Sequence, residues 1–143
     1  MTKATISAFE STLHKTNIWL KDLMTELDWE TADYQRAYHA LRAVLQALRD
    51  RLTVEEASHL ASQLPMLIRG FYYEGWSPSK TPTAEHKRED FLVRVAEQFA
   101  NDPTADVEEI TRAVFKVMSK HITPGEIRDV KGTLPKTLRE LWD

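Results

Sequence analysis

The side chains able to do chemistry are few and scattered. There is no cysteine, so thiol nucleophiles, thiolate metal sites and disulfides are excluded. The histidines are His14, His39, His59, His86 and His121, with no His-Glu-x-x-His pair among them. The one crowded stretch is Glu85-His86-Lys87-Arg88-Glu89-Asp90. On a helix, His86 and Asp90 share a face and could offer two metal ligands. Two ligands do not close a site, and two adjacent cations repel a metal. The stretch therefore reads as a solvated first turn whose carboxylates suit the helix dipole. No Gly-rich phosphate loop and no Gly-x-Ser-x-Gly elbow is present. The expectation is a protein that is not an enzyme, with no catalytic residue, cofactor or metal.

A second set of polar residues is distinguished by repetition. Sliding the sequence by 70 positions aligns 41–72 with 111–142 without a gap, and eight of the 32 pairs are identical. Roughly two would be expected from ordinary composition. The identities include Arg42/Arg112, Thr53/Thr123, Glu56/Glu126, Pro65/Pro135 and Arg69/Arg139. The paired arginines could bind anions. Occurring once per repeat, they read instead as structural ties from each helix to a carbonyl or carboxylate of its own half. By the same logic, residues kept in both halves specify the fold, and polar or aromatic residues present in one half are functional candidates. That singles out Tyr73, Glu74 and Trp76, which follow Phe71 and Tyr72 and have no counterpart after Trp142. Tyrosine and tryptophan are enriched at interaction hot spots, so these three form the candidate interaction surface. Phe71 and Tyr72, mirrored by Leu141 and Trp142, should be core, and the three unmatched residues should lie along the seam between the halves.

The elements that must position these residues follow from apolar spacing. Each half reads as four helices. The first lies near Asn17–Leu27 and near Glu85–Ala100, with apolar residues at i, i+3, i+4 and i+7. The second carries the stripe Ala37, Leu41, Val44, Leu45, Leu48 and Leu52, matched by Val107, Ile110, Val114, Val117, Met118 and Ile122. The third opens with a capping box, Thr53 with Glu56 and Thr123 with Glu126. Pro124 suits the first helical position. Pro65 and Pro135 suit the same position of the fourth helix, which should run past Phe71 and end near Gly75. Thr16 is placed as the cap of the first helix, after an arm that packs through Phe9.

The chain has 143 residues, enough for one domain with a sizeable core. It reads as an all-α fold: a tandem duplication of a four-helix unit, with repeats at about 16–75 and 84–143, a linker at 76–83 and an N-terminal arm at 1–15. The halves carry net charges of −2 and −1. Neither has the clustered positive footprint of a nucleic-acid binder. No segment reads as a transmembrane span or signal peptide, and the expected location is the cytoplasm.

Several runs together carry a family likeness: Thr16-Asn17-Ile18-Trp19-Leu20, Leu41-Arg42-Ala43-Val44-Leu45, Gln63-Leu64-Pro65-Met66-Leu67-Ile68-Arg69-Gly70 and Tyr72-Tyr73-Glu74-Gly75-Trp76, then Gly125-Glu126 and Leu134-Pro135. On these the chain resembles the bacterial domain-of-unknown-function 2267 family over essentially its whole length. The resemblance implies a stand-alone bacterial cytoplasmic protein with an all-helical fold, and no assigned activity.

The functional expectation is a non-catalytic protein-interaction or assembly module with a protein partner, no membrane association and room for homo-oligomerisation. The alternatives are a small helix-turn-helix-like nucleic-acid-binding regulator, with Lys136 and Arg139 on the reading helix, and a small-ligand sensor with a pocket between the repeats.

Overall fold

The computed structural model describes residues 6–84 and 87–143. Among them there are eight α-helices and no strand. The helices are α1 (Ser7–Leu27), α2 (Tyr34–Arg51), α3 (Val54–Ala61), α4 (Met66–Tyr73), α5 (Arg88–Glu97), α6 (Val107–His121), α7 (Pro124–Gly132) and α8 (Lys136–Arg139), the last continued by a 3₁₀ turn, Glu140–Trp142. None is long and apolar enough to cross a membrane.

α2 and α6 form the centre. The two predicted stripes are buried: Ala37, Leu41, Val44, Leu45, Leu48 and Leu52 on one side, Ile110, Val114, Val117, Met118 and Ile122 on the other, with Val107 half-buried at the edge. α2 meets α6 and α3 meets α7. α1 lies on α6 as α5 lies on α2, and α4 packs on α2 as the final 3₁₀ turn packs on α6. The correspondence is uneven in length, because α1 has 21 residues and α5 has 10.

The arm expected at 1–15 is corrected. Residues 1–5 lie outside the described residues, and from Ser7 onward the segment is the first two turns of α1. No glycine or proline interrupts it, and Phe9 and Leu13 continue the helical spacing. Phe9 does not pack inward; it is 51% exposed. Thr16 is not an N-cap either, because its hydroxyl donates to the Thr12 carbonyl at 2.7 Å inside the helix. Thr12 does the capping, for a different helix: its hydroxyl accepts the Leu67 N–H at 2.9 Å. α4 needs this help because its N-cap is Pro65, which has no side-chain acceptor.

Pro65 and Pro135 each stand one position earlier than predicted, at the N-cap with extended ψ of 150° and 153°. A proline there costs no helix bond, and each carbonyl accepts the first helical N–H, from Arg69 and Arg139. Pro124 takes the first helical position as expected. α1 stops at Asp28, whose φ of 55° is left-handed, a conformation that short polar side chains tolerate.

Candidate functional site

The exit of α4 is built by one glycine. α4 ends at Tyr73, and Glu74 (φ −58°, ψ 126°) and Gly75 (φ 76°) are the central residues of a type II turn. The turn is closed by the Trp76 N–H donating to the Tyr73 carbonyl at 3.0 Å. It brings the Tyr73 and Trp76 rings into a stack at 5.2 Å, with both half-buried. Phe71 and Tyr72 are core, as predicted. Burial pushes the Tyr72 phenol up, so it remains a donor, and it gives its proton to the Ala57 carbonyl at 2.8 Å.

Glu74 is the open member of the trio. Its carboxylate pairs with Arg42 at 3.4 Å, and its side chain is 68% exposed. Its carbonyl accepts from Arg49 at 2.9 Å. These partners tie the stretch to α2, in its own half. Arg49 is nearly enclosed, and it also donates to the Tyr72 carbonyl at 2.7 Å and to Asp50 at 2.9 Å. Arg49 is not repeated, the aligned position being Ser119, so it falls outside the paired residues that mark the fold.

Glu74 and Phe71 also line a groove of about 1000 Å³ between α1, α2 and α4. Its walls include Phe9, Leu13, Leu20, Tyr38, Met66 and Leu67. Four of the eight exposed large apolar residues of the described chain stand in it, namely Phe9, Leu13, Met66 and Leu67. Single exposed apolar residues are ordinary on a surface, but a cluster is not. The sequence signal for this groove is the apolar spacing Ile6, Phe9 and Leu13, which continues the helical face of α1 into the segment expected as an arm.

The repeated residues take structural positions. Thr53 and Thr123 cap α3 and α7, accepting the Glu56 and Glu126 N–H groups at 3.1 and 3.3 Å. The predicted capping boxes are not reciprocal: among the described residues neither Glu56 nor Glu126 returns a bond to the N–H of its own threonine. The Thr123 N–H donates to Gln63 Oε1 at 3.0 Å, and the Glu126 carboxyl turns instead to Glu56. Arg69 donates to the carbonyls of Ala61 and Leu64, locking the α3–α4 corner. Arg139 makes no such tie and is exposed. Arg112 reaches the carbonyls of Glu140 and Asp143 at 3.2 Å, as Arg42 reaches Glu74.

A pair absent from the sequence reading joins α1 to α6. Asp22 meets the His121 Nε2 at 2.6 Å and Lys120 at 3.2 Å. Partial desolvation pushes the Asp22 carboxyl up, but hydrogen bonds from His121 and Lys120 outweigh it and hold it below its usual value. The His121 ring lies stacked on Trp19 at 5.0 Å. Glu85 and His86 lie outside the described residues. Among the described residues, no three His, Asp or Glu side chains are grouped to hold a metal.

Comparison with known proteins adds a family. Residues 16–141 match the family described as "Uncharacterized conserved protein (DUF2267)". No curated protein matches the chain.

Proposed function

The chain belongs to this uncharacterised conserved family, and from that premise we propose that it is a non-catalytic interaction module whose docking surface is the α1–α2–α4 groove. The observation carrying this reading is the concentration of exposed Phe9, Leu13, Met66 and Leu67 in one depression. The occupant is an amphipathic helix of a protein partner, whose apolar side chains at i, i+3/i+4 and i+7 spacing fill such a depression. Glu74 is the charged residue of the lining, so the partner helix carries a Lys or Arg beside its apolar stripe. Tyr73 and Trp76 brace the turn that presents Glu74.

The helix-turn-helix alternative has less support. α8, which would carry Lys136 and Arg139 into a groove of DNA, is a single turn, too short for a recognition helix. We also read the two halves as a tandem duplication. The equivalent pairings of α1 with α6 and α5 with α2, and the contacts of α2 with α6 and α3 with α7, support that reading.

The test is capture of partners from native cell extract by the wild type, by Leu13→Glu plus Leu67→Glu, and by Glu74→Lys, with sedimentation of the purified protein alongside. Both sites are exposed, so melting should be unchanged. Loss of one captured protein with both variants supports the reading. Capture indifferent to both variants removes it. A wild type that self-associates through the groove, with dimerisation lost in the double variant, replaces the partner helix with a second copy.

A further inference from the structure

A second cavity opens on the other side of α1, touching the apolar groove only at Met66. It measures about 510 Å³, within the range of small-molecule sites. Its walls come from three places: Lys15, Ile18 and Trp19 of α1, the α3–α4 corner with Arg69, and His121 at the end of α6. Every titratable side chain lining it is basic, namely Lys15, Arg69 and His121. This is unusual in a chain whose net charge is −3. Outside the lining, Asp22 pairs with both His121 and Lys120.

The site is built rather than incidental. Arg69 is held by two carbonyls, through Nε at 2.8 Å and Nη2 at 2.9 Å. Its Nη1 has no hydrogen-bond partner among the described residues. His121 is fixed on one face by Trp19 and on one edge by Asp22. The corner is pinned from behind by both atoms of the Gln63 amide, which exchange hydrogen bonds with Thr123 at 3.0 and 3.1 Å. Lys15 is exposed and has no ion-pair partner among the described residues. Beside these cations lie Ile18 and Met66, 37% and 49% exposed, and Pro65. The corresponding corner of the second half is different: Pro82 and Thr83 line the smaller depression there, beside Leu134 and Pro135.

We infer that this cavity is a binding site for a small organic carboxylate, its anionic head held by Lys15 and Arg69 and its apolar body against Ile18, Pro65 and Met66. A charge-assisted bond from a pre-positioned guanidinium to a carboxylate is among the stronger contacts a protein offers. The apolar lining selects an organic anion over a bare inorganic one.

Benzoate serves as the probe, titrated into the ¹⁵N-labelled protein while amide and indole resonances are followed. Benzyl alcohol is the neutral control and inorganic phosphate the control without an apolar body. Benzoate should shift the Trp19 indole and the Ser62, Gln63, Leu64 and Met66 amides saturably. Lys15→Glu, at an exposed position, should keep the spectrum of a folded protein and weaken benzoate about tenfold. Benzyl alcohol producing the same shifts, an unchanged affinity in Lys15→Glu, or no saturation with benzoate at about 10 mM, a millimolar affinity being the weak end of specific binding, overturns the site. Phosphate saturating the same resonances as tightly as benzoate overturns the organic class.

Discussion

The Glu126 carboxyl lies beside that of Glu56 where α3 meets α7, and the Oε2 of each is buried with no hydrogen-bond partner among the described residues. Each stands three residues after the threonine that caps its helix. Glu126 is buried among the core helices. Its burial first, then the neighbouring Glu56 carboxyl and the charge of Asp129, push its carboxyl up from an ordinary 4.5 to about 8. Two like charges in so dry a contact cannot both ionise without cost.

This makes stability fall as pH rises. Glu126 holds its proton more tightly in the folded chain than in the unfolded one. Its contribution is fully present below about pH 4.5 and is lost as pH climbs through about 8. Between those limits the loss amounts to roughly 2–4 kcal/mol. Glu126→Gln supplies a neutral donor at every pH, so it should stabilise the protein at pH 9 and flatten the difference between pH 5 and pH 9. Urea unfolding of both proteins at the two pH values measures this. Parallel pH profiles would show that burial does not hold the Glu126 carboxyl protonated.

The two caps should not be equal. Thr53→Ala removes one hydrogen bond to the Glu56 N–H and should cost about 1 kcal/mol. Thr123 has a second attachment, since its hydroxyl also accepts from Gln63 Nε2 at 3.1 Å. Thr123→Ala should cost more, about 2 kcal/mol. Thr123→Ala in a Gln63→Ala background should return to about 1 kcal/mol, because the partner is already gone. Denaturant midpoints of the four variants give the comparison, and identical losses at the two caps would sink it.

Gly75→Ala tests the turn that presents Glu74. Beyond its chain neighbours no atom stands within 4 Å of the added methyl, so the whole cost is the left-handed φ of 76°. That should be about 1–2 kcal/mol. The loss should appear in thermal melts together with a change in the near-ultraviolet signal of the Tyr73–Trp76 stack. A variant that melts like the wild type would mean the turn relaxes to another type without cost.

Much of this architecture was legible because it is local. The stripes of α2 and α6 announce their buried faces by spacing. Thr53 and Thr123 announce the caps, and Gly75 announces the end of α4. What stayed hidden depends on residues distant in sequence. A capping box predicts that Glu126 bonds back to its own helix end, and only the meeting of α3 with α7 sends it to Glu56. Thr12 looks like any helical threonine until α4 is seen lacking a cap acceptor at Pro65. The apolar groove escaped because Phe9 and Leu13 have the spacing of a buried face, yet both stay about half exposed among the described residues.

Arg49 is the last of these hidden residues and gives the sharpest test. Its guanidinium closes the C-terminal end of α4 by donating through one nitrogen to two carbonyls, those of Tyr72 and Glu74, while Nε holds Asp50. A lysine keeps the charge but presents a point rather than a fork, and it cannot reach all three acceptors from the same place. Arg49→Lys should therefore destabilise by about 2 kcal/mol, each lost charge-assisted bond being worth roughly 1.5–3 kcal/mol before the ammonium recovers part of it. Arg49→Met removes the charge as well. It leaves the buried carbonyls bare and Asp50 without its partner, and it should cost about 3–5 kcal/mol. Both should loosen the Tyr73–Trp76 turn before the rest unfolds, read as faster amide exchange at Trp76 than at Leu45 in the core. If Arg49→Lys matches the wild type in urea and in exchange, the fork geometry at the end of α4 carries no stability.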